Sequence, residues 1–209
     1  MEDESGDLLT GCATCTSNEE NYKNSDFAGI RIYGSDSFQN KIESSLKFLK
    51  SCSPTDLLTV DKYLDNIFED VRIKDPIDDR YISIATAYVP NPKESFNEKG
   101  EYVPVDRQNY NKSISVNVQT FQLLRRPTHD FLFAGVLIHE ARHHWQFVNS
   151  EKDEYPVTEI DATTTEKNFY LKTQNCADVS DKEFQYLITW KDKMINYYKN
   201  CFLSNTTFC

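Results

Sequence analysis

Several things this chain lacks narrow its class. It has few basic residues: 23 Lys and Arg stand against 33 Asp and Glu, a formal net charge of −10 over 209 residues. The longest basic run is Arg125-Arg126. Without a longer basic patch to neutralise phosphates, nucleic acid and anionic membrane are poor candidates as partners, and nucleic-acid binding is close to excluded as the main role. Long apolar runs are also missing. The best, Phe131 to Ile138, is cut off at His139, well short of the roughly 20 residues a membrane helix needs. The N-terminus has neither a basic start nor an apolar core, so no signal peptide is expected there. Histidine is scarce, with four residues in the whole chain.

What remains is an ordinary globular composition, 39% hydrophobic and 13% aromatic. That length suits one domain with a real core. The six cysteines, Cys12, Cys15, Cys52, Cys176, Cys201 and Cys209, are even in number. They suit disulfides, and the three late ones flank a C-terminal helix that a bridge could staple. Cys12-x-x-Cys15 is compatible with half a structural zinc site, but no second pair follows it. Asn111-Lys112-Ser113 and Asn205-Thr206-Thr207 fit the glycosylation sequon. Together these features favour an exported, secreted or extracytoplasmic protein.

Residues 1–25 are acidic and polar and read as a flexible arm, with a single domain over 26–209. Phe27 to Tyr33 reads as a strand. Phe38, Ile42, Leu46 and Leu49 recur at helical spacing, predicting a helix to about Lys50. Ser53-Pro54 opens a second helix whose buried side would include Leu57, Tyr63, Leu64, Ile67 and Phe68. Arg80 to Val89 looks like a strand, and residues 90–111 like a loop or hairpin. Ser113 to Val118 alternates with Ile114, Val116 and Val118 on one face, the pattern of a half-buried, edge-type strand. A helix is expected from about Asp130 to Val148, capped near His129, and another near Thr158 to Tyr170. Ser180-Asp181-Lys182-Glu183 is a capping box for a last helix that buries Phe184, Leu187, Ile188, Ile195 and Tyr198. The fold class is α+β.

Three of the four histidines fall in one short stretch, His139-Glu140-Ala141-Arg142-His143-His144. On a helix, His139 and His143 project from one face. Two such imidazoles can hold one zinc ion at about 2.0–2.1 Å through ring nitrogens. Glu140 lies one step round the helix, where it can act on water as a general base without ligating the metal. His144, turned about 100° from His143, reads as a packing or supporting residue. A third ligand is needed, and the next acidic helix is its natural source. Glu159 comes first. Asp161 faces another side and could hydrogen-bond a ligating imidazole, while Glu166 is the fallback ligand. These acids equally suit a solvated helix face.

His139-Glu140-Ala141-Arg142-His143 followed by Glu159-Ile160-Asp161-Ala162 resembles the gluzincin branch of the zincin metallopeptidases, over roughly residues 113–172. The resemblance implies a zincin-like fold: a small N-terminal sheet with helices, the motif helix, then C-terminal helices. It implies one zinc ion per chain on His139, His143 and Glu159, Glu140 as the general base, and Asp161 behind the ligands. An edge strand, here 113–118, would pair with an extended peptide or protein substrate. Tyr155, Tyr170 and His144 are candidates to stabilise the oxyanion. No metzincin continuation follows the motif; an aspzincin-like site with Asp161 as third ligand lacks that group's usual run. The function expected is zinc-dependent peptide hydrolysis by a monomer that does not insert in membranes. The competing readings are a zincin-fold binding or regulatory protein without proteolytic activity and a disulfide-stapled interaction protein.

Overall fold

The computed structural model describes residues 23–27, 29–70, 85–88, 106–117, 130–149 and 156–204. The expectations for Cys12, Cys15, His129, Tyr155, the Asn205 sequon and Cys209 lie outside them. Two strands open the described chain, β1 (Lys23–Phe27) and β2 (Ile30–Gly34), antiparallel with Phe27 opposite Ile30. Gly29, in the tight connection between them, has φ 84°, a left-handed conformation that favours glycine. Part of the segment expected to be an arm therefore belongs to the sheet.

Helix α1 (Asp36–Cys52) is capped by Ser35, whose hydroxyl accepts from the Phe38 N–H. It buries Phe38, Ile42, Leu46 and Leu49, the residues its spacing predicts. Helix α2 (Pro54–Tyr63) starts on its proline. The chain then turns extended at Leu64 and forms strand β3 (Asn66–Glu69). Ile67 and Phe68 thus belong to a strand, correcting the helix expected to include them. Ile67 is fully buried between parallel neighbours, and such a short apolar run has the same burial signature in a helix as in a central strand.

Strands β4 (Ala85–Tyr88) and β5 (Ser113–Val116) complete a five-stranded sheet in the order β1-β2-β3-β5-β4. The inner pairs β2–β3 and β3–β5 are parallel, and β1 and β4 are antiparallel outer strands. Helices α1 and α2 make the crossover that a parallel β2–β3 pair requires. β5 lies inside the sheet and all four of its residues are buried. The edge position expected for 113–118 is instead held by β4, and burial on both faces replaces the expected alternation.

Three helices follow: α3 (Asp130–Asn149), α4 (Val157–Thr173) and α5 (Asp181–Ser204). The apolar run makes α3 central, packed on α1, α2, β4 and α4, while α5 covers α4. The Ser180–Glu183 capping box forms as expected: the Glu183 carboxylate accepts from the Ser180 N–H at 3.2 Å and the Ser180 hydroxyl from the Glu183 N–H at 3.4 Å. A disulfide joins Cys52, at the end of α1, to Cys176 in the turn after α4. Cys176 is therefore tied back to the sheet-bearing half of the fold, not to a cysteine beside the last helix. Among the described residues no helix is long and apolar enough to cross a membrane.

Candidate metal centre

On α3, His139 and His143 stand one turn apart, as their spacing demands. Glu159 enters from the first turn of α4 and faces both. The His139 Nε2 atom is 3.1 Å from His143 Nε2 and 3.5 Å from Glu159 Oε2. The other carboxylate oxygen, Oε1, is 3.3 Å from His143 Nε2. Donor atoms of the three residues all lie within 4.8 Å of one another, and the group could hold a metal ion. All three side chains are only partly buried.

The outer nitrogens of the two imidazoles are held from behind. His139 Nδ1 lies 3.1 Å from Glu166 Oε2. Glu166 is one heptad beyond Glu159 and so shares its helix face, but stands deeper, at 2% exposure. The Lys191 ammonium, from α5, is 2.5 Å from Glu166 Oε1. The Tyr170 hydroxyl lies 2.8 Å from the same oxygen and 3.1 Å from the Leu132 carbonyl. Tyr170 can come this close because Gly135 sits beneath it: a Cβ there would meet the phenol oxygen at 2.1 Å. His143 Nδ1 lies 3.0 Å from Gln146 Oε1. The Gln146 amide in turn donates to Asp161 Oδ2 at 2.8 Å and to the Thr158 carbonyl at 2.9 Å.

The electrostatics follow from this packing. Burial opposes charge on His139, but the hydrogen-bonded carboxylates of Glu159 and Glu166 outweigh it and raise its pKa. Burial likewise works against ionisation of Glu159, and the two imidazoles reverse it, holding that carboxyl well below its usual range. Glu166 is also held low: burial is outweighed by the Lys191 charge and the His139 bond. Glu140 goes the other way. It is buried beside the histidines, and burial pushes its carboxyl up.

Asp161, expected behind an imidazole, accepts instead from Arg142 Nε at 2.7 Å and Nη2 at 3.2 Å, and its hydrogen-bonded link to His143 runs through the Gln146 amide. The Arg142 guanidinium also lies 3.7 Å over the Trp145 ring. Glu166, expected as a fallback ligand, meets His139 on the nitrogen facing away from Glu159. His144 is fully buried. Its Nδ1 lies 2.8 Å from the Tyr110 hydroxyl and its Nε2 3.1 Å from the Ser113 carbonyl, so Nε2 carries the proton and Nδ1 accepts. Burial pushes its pKa down to about 4. It pins α3 to β5, the packing role expected of it. Of the oxyanion candidates, His144 and Tyr170 are thus held by partners outside the three-residue group.

Gln146, Lys191 and Tyr110 carry no motif and were not singled out by the sequence. Lys191 did leave a signal: it lies four residues after Leu187 and four before Ile195, on the apolar face of α5. A lysine in that register needs a buried partner. Comparison with family models, with curated proteins and with solved structures found no match to the chain.

Proposed function

We propose that the protein is a zinc-dependent metallopeptidase, with His139, His143 and Glu159 as ligands and Glu140 as general base. The observation that carries this reading is the convergence of two imidazole nitrogens, 3.1 Å apart, on one carboxylate, whose Oε1 lies 3.3 Å from His143 Nε2 and whose Oε2 lies 3.5 Å from His139 Nε2. Atoms bonded tetrahedrally at about 2.0–2.1 Å stand roughly 3.3–3.4 Å apart, close to the separation of the two imidazole nitrogens and of each from the Glu159 oxygen it faces. Three protein ligands also leave a fourth position open, as hydrolytic sites require. What a bound zinc ion supplies is Lewis acidity, towards a carbonyl oxygen and towards water.

The chain's own residues supply the remainder. Glu166 and Gln146 accept from the Nδ1 atoms of His139 and His143 and so turn both Nε2 lone pairs towards the open face. Glu140 accepts the proton of the attacking water on its carboxylate and returns it to the leaving amine nitrogen. A carboxyl raised by burial is better matched to proton transfer near neutral pH than a solvated one. The Cys52–Cys176 bridge favours an oxidising compartment outside the cytoplasm.

Glu140→Gln tests the assignment. Zinc should stay bound while cleavage of a peptide library falls by roughly 10²–10⁴-fold. Turnover unchanged in the variant rejects Glu140 as the base. Zinc bound by a wild type that cleaves nothing leaves the zincin-like binding protein as the better reading.

A further inference from the structure

We propose that Lys191 is a positioning residue for the metal centre, acting through Glu166 to hold His139 in its ligating orientation. The inference rests on the metal-site reading above and extends it to a third helix. Lys191 is 4% exposed. Its ammonium lies against Glu166 Oε1 and 4.4 Å from the centroid of the Trp190 ring, with the Tyr170 ring at 5.9 Å. The two oxygens of Glu166 therefore have separate tasks. Oε1 takes the ammonium and the Tyr170 phenol, and Oε2 is left to His139 Nδ1.

A pair that merely pinned α5 to α4 would be a poor use of two buried charges. Their desolvation offsets most of their attraction, and well-packed apolar residues in such places hold helices together as well or better. What apolar residues cannot do is fix a carboxylate at His139 Nδ1. An acceptor there places the N–H on Nδ1 and leaves the Nε2 lone pair directed at the ligand group. Lys191 and Tyr170 bind the far oxygen of that acceptor, so its plane and rotamer are set from α5 and from the next turn of α4. Gly135 completes the arrangement by leaving room for the phenol.

The sign of the effect on metal affinity separates positioning from bulk electrostatics. Deleting a positive charge near a cation site should tighten cation binding if charge alone mattered. Positioning requires the opposite. The experiment is a zinc titration of the full chain against a chromophoric chelator, wild type beside Lys191→Met, with cobalt(II) absorption as a second readout. Zinc binding about 10–100-fold weaker, with an altered cobalt spectrum and a still cooperative melt of the metal-free protein, is the expected result. In a Glu166→Gln background Lys191→Met should add no further loss. Should Lys191→Met not fold, Lys191→Leu, which likewise removes both the charge and the donor, carries the same test. Affinity unchanged or tightened in a folded variant overturns the proposal while leaving the metal centre standing. A folded wild type that binds neither zinc nor cobalt overturns both.

Discussion

His139 and His143 stand one helical turn apart and share Glu159, yet their outer nitrogens are held in opposite ways. Behind His139 is a dry, charged assembly: Glu166 at 2% exposure, paired with a Lys191 that is itself buried. Behind His143 is a neutral amide, Gln146, leaning on Asp161, which is 41% exposed and gripped by an Arg142 exposed to 26%. Both supports fix an imidazole, but they differ in what their loss would cost. In a dry setting, removing one charge strands the other. At the surface, water and salt replace most of what the pair supplied.

The largest effect is therefore expected from Glu166→Gln, which leaves the Lys191 ammonium buried without its counter-charge. Denaturant unfolding of the metal-free variant should show a loss of about 3–5 kcal/mol. A loss below about 1 kcal/mol would mean that water reaches this assembly and that the contrast between the two sides is false.

A third imidazole sharpens the comparison. Among the described residues the hydrogen-bond partners of His144 are neutral, the Tyr110 hydroxyl and the Ser113 carbonyl, and burial holds its pKa at about 4. Its ordinary value is about 6.5. Between these values the unfolded chain binds a proton that the native ring refuses, so stability present above pH about 6.5 is lost as pH falls towards about 4. A shift of this size amounts to about 3 kcal/mol across that window. Stability of the wild type and of His144→Gln should be followed from pH 7 to pH 4 with chelator present throughout. The wild type should lose more by roughly that amount; parallel curves would remove His144 from the account of acid stability.

The smallest effects belong to the exposed side. Arg142→Gln should change stability by less than about 1 kcal/mol, and by less still at high salt. Gln146→Leu should leave the fold intact yet weaken zinc binding by about tenfold, since His143 loses the acceptor on Nδ1. If Arg142→Gln proved as damaging as Glu166→Gln, exposure would not be what distinguishes the two supports.

How much of this could be read from residues alone depended on whether the information was local. The spacing of His139 and His143 fixes their shared face, and the next acidic helix supplies Glu159 at its start; both follow from helical geometry. Which carboxylate backs which imidazole does not, because it is set by how α3 and α4 cross. Asp161 is two residues from Glu159, on another flank, and meets Arg142 there. Glu166 is on the Glu159 face but deeper, where it meets His139 from behind. Lys191 belongs to a helix remote in sequence, and only its place among Leu187 and Ile195 hinted at burial. The helix expected to run through Ile67 failed for a related reason: four residues of β3 have too little periodicity to distinguish a central strand from a helix end, and its partners Ile32 and Ile114 are distant along the chain.

The central claim, that His139, His143 and Glu159 form a zinc site, is tested most directly by the zinc content of purified wild type beside Glu159→Gln. The replacement is nearly isosteric and removes only the charge and the ligating carboxylate. The account expects about one zinc per chain in the wild type and a loss or marked weakening in the variant. A folded wild type that stays empty when zinc is supplied, or a variant that holds zinc as tightly as the wild type, would contradict it.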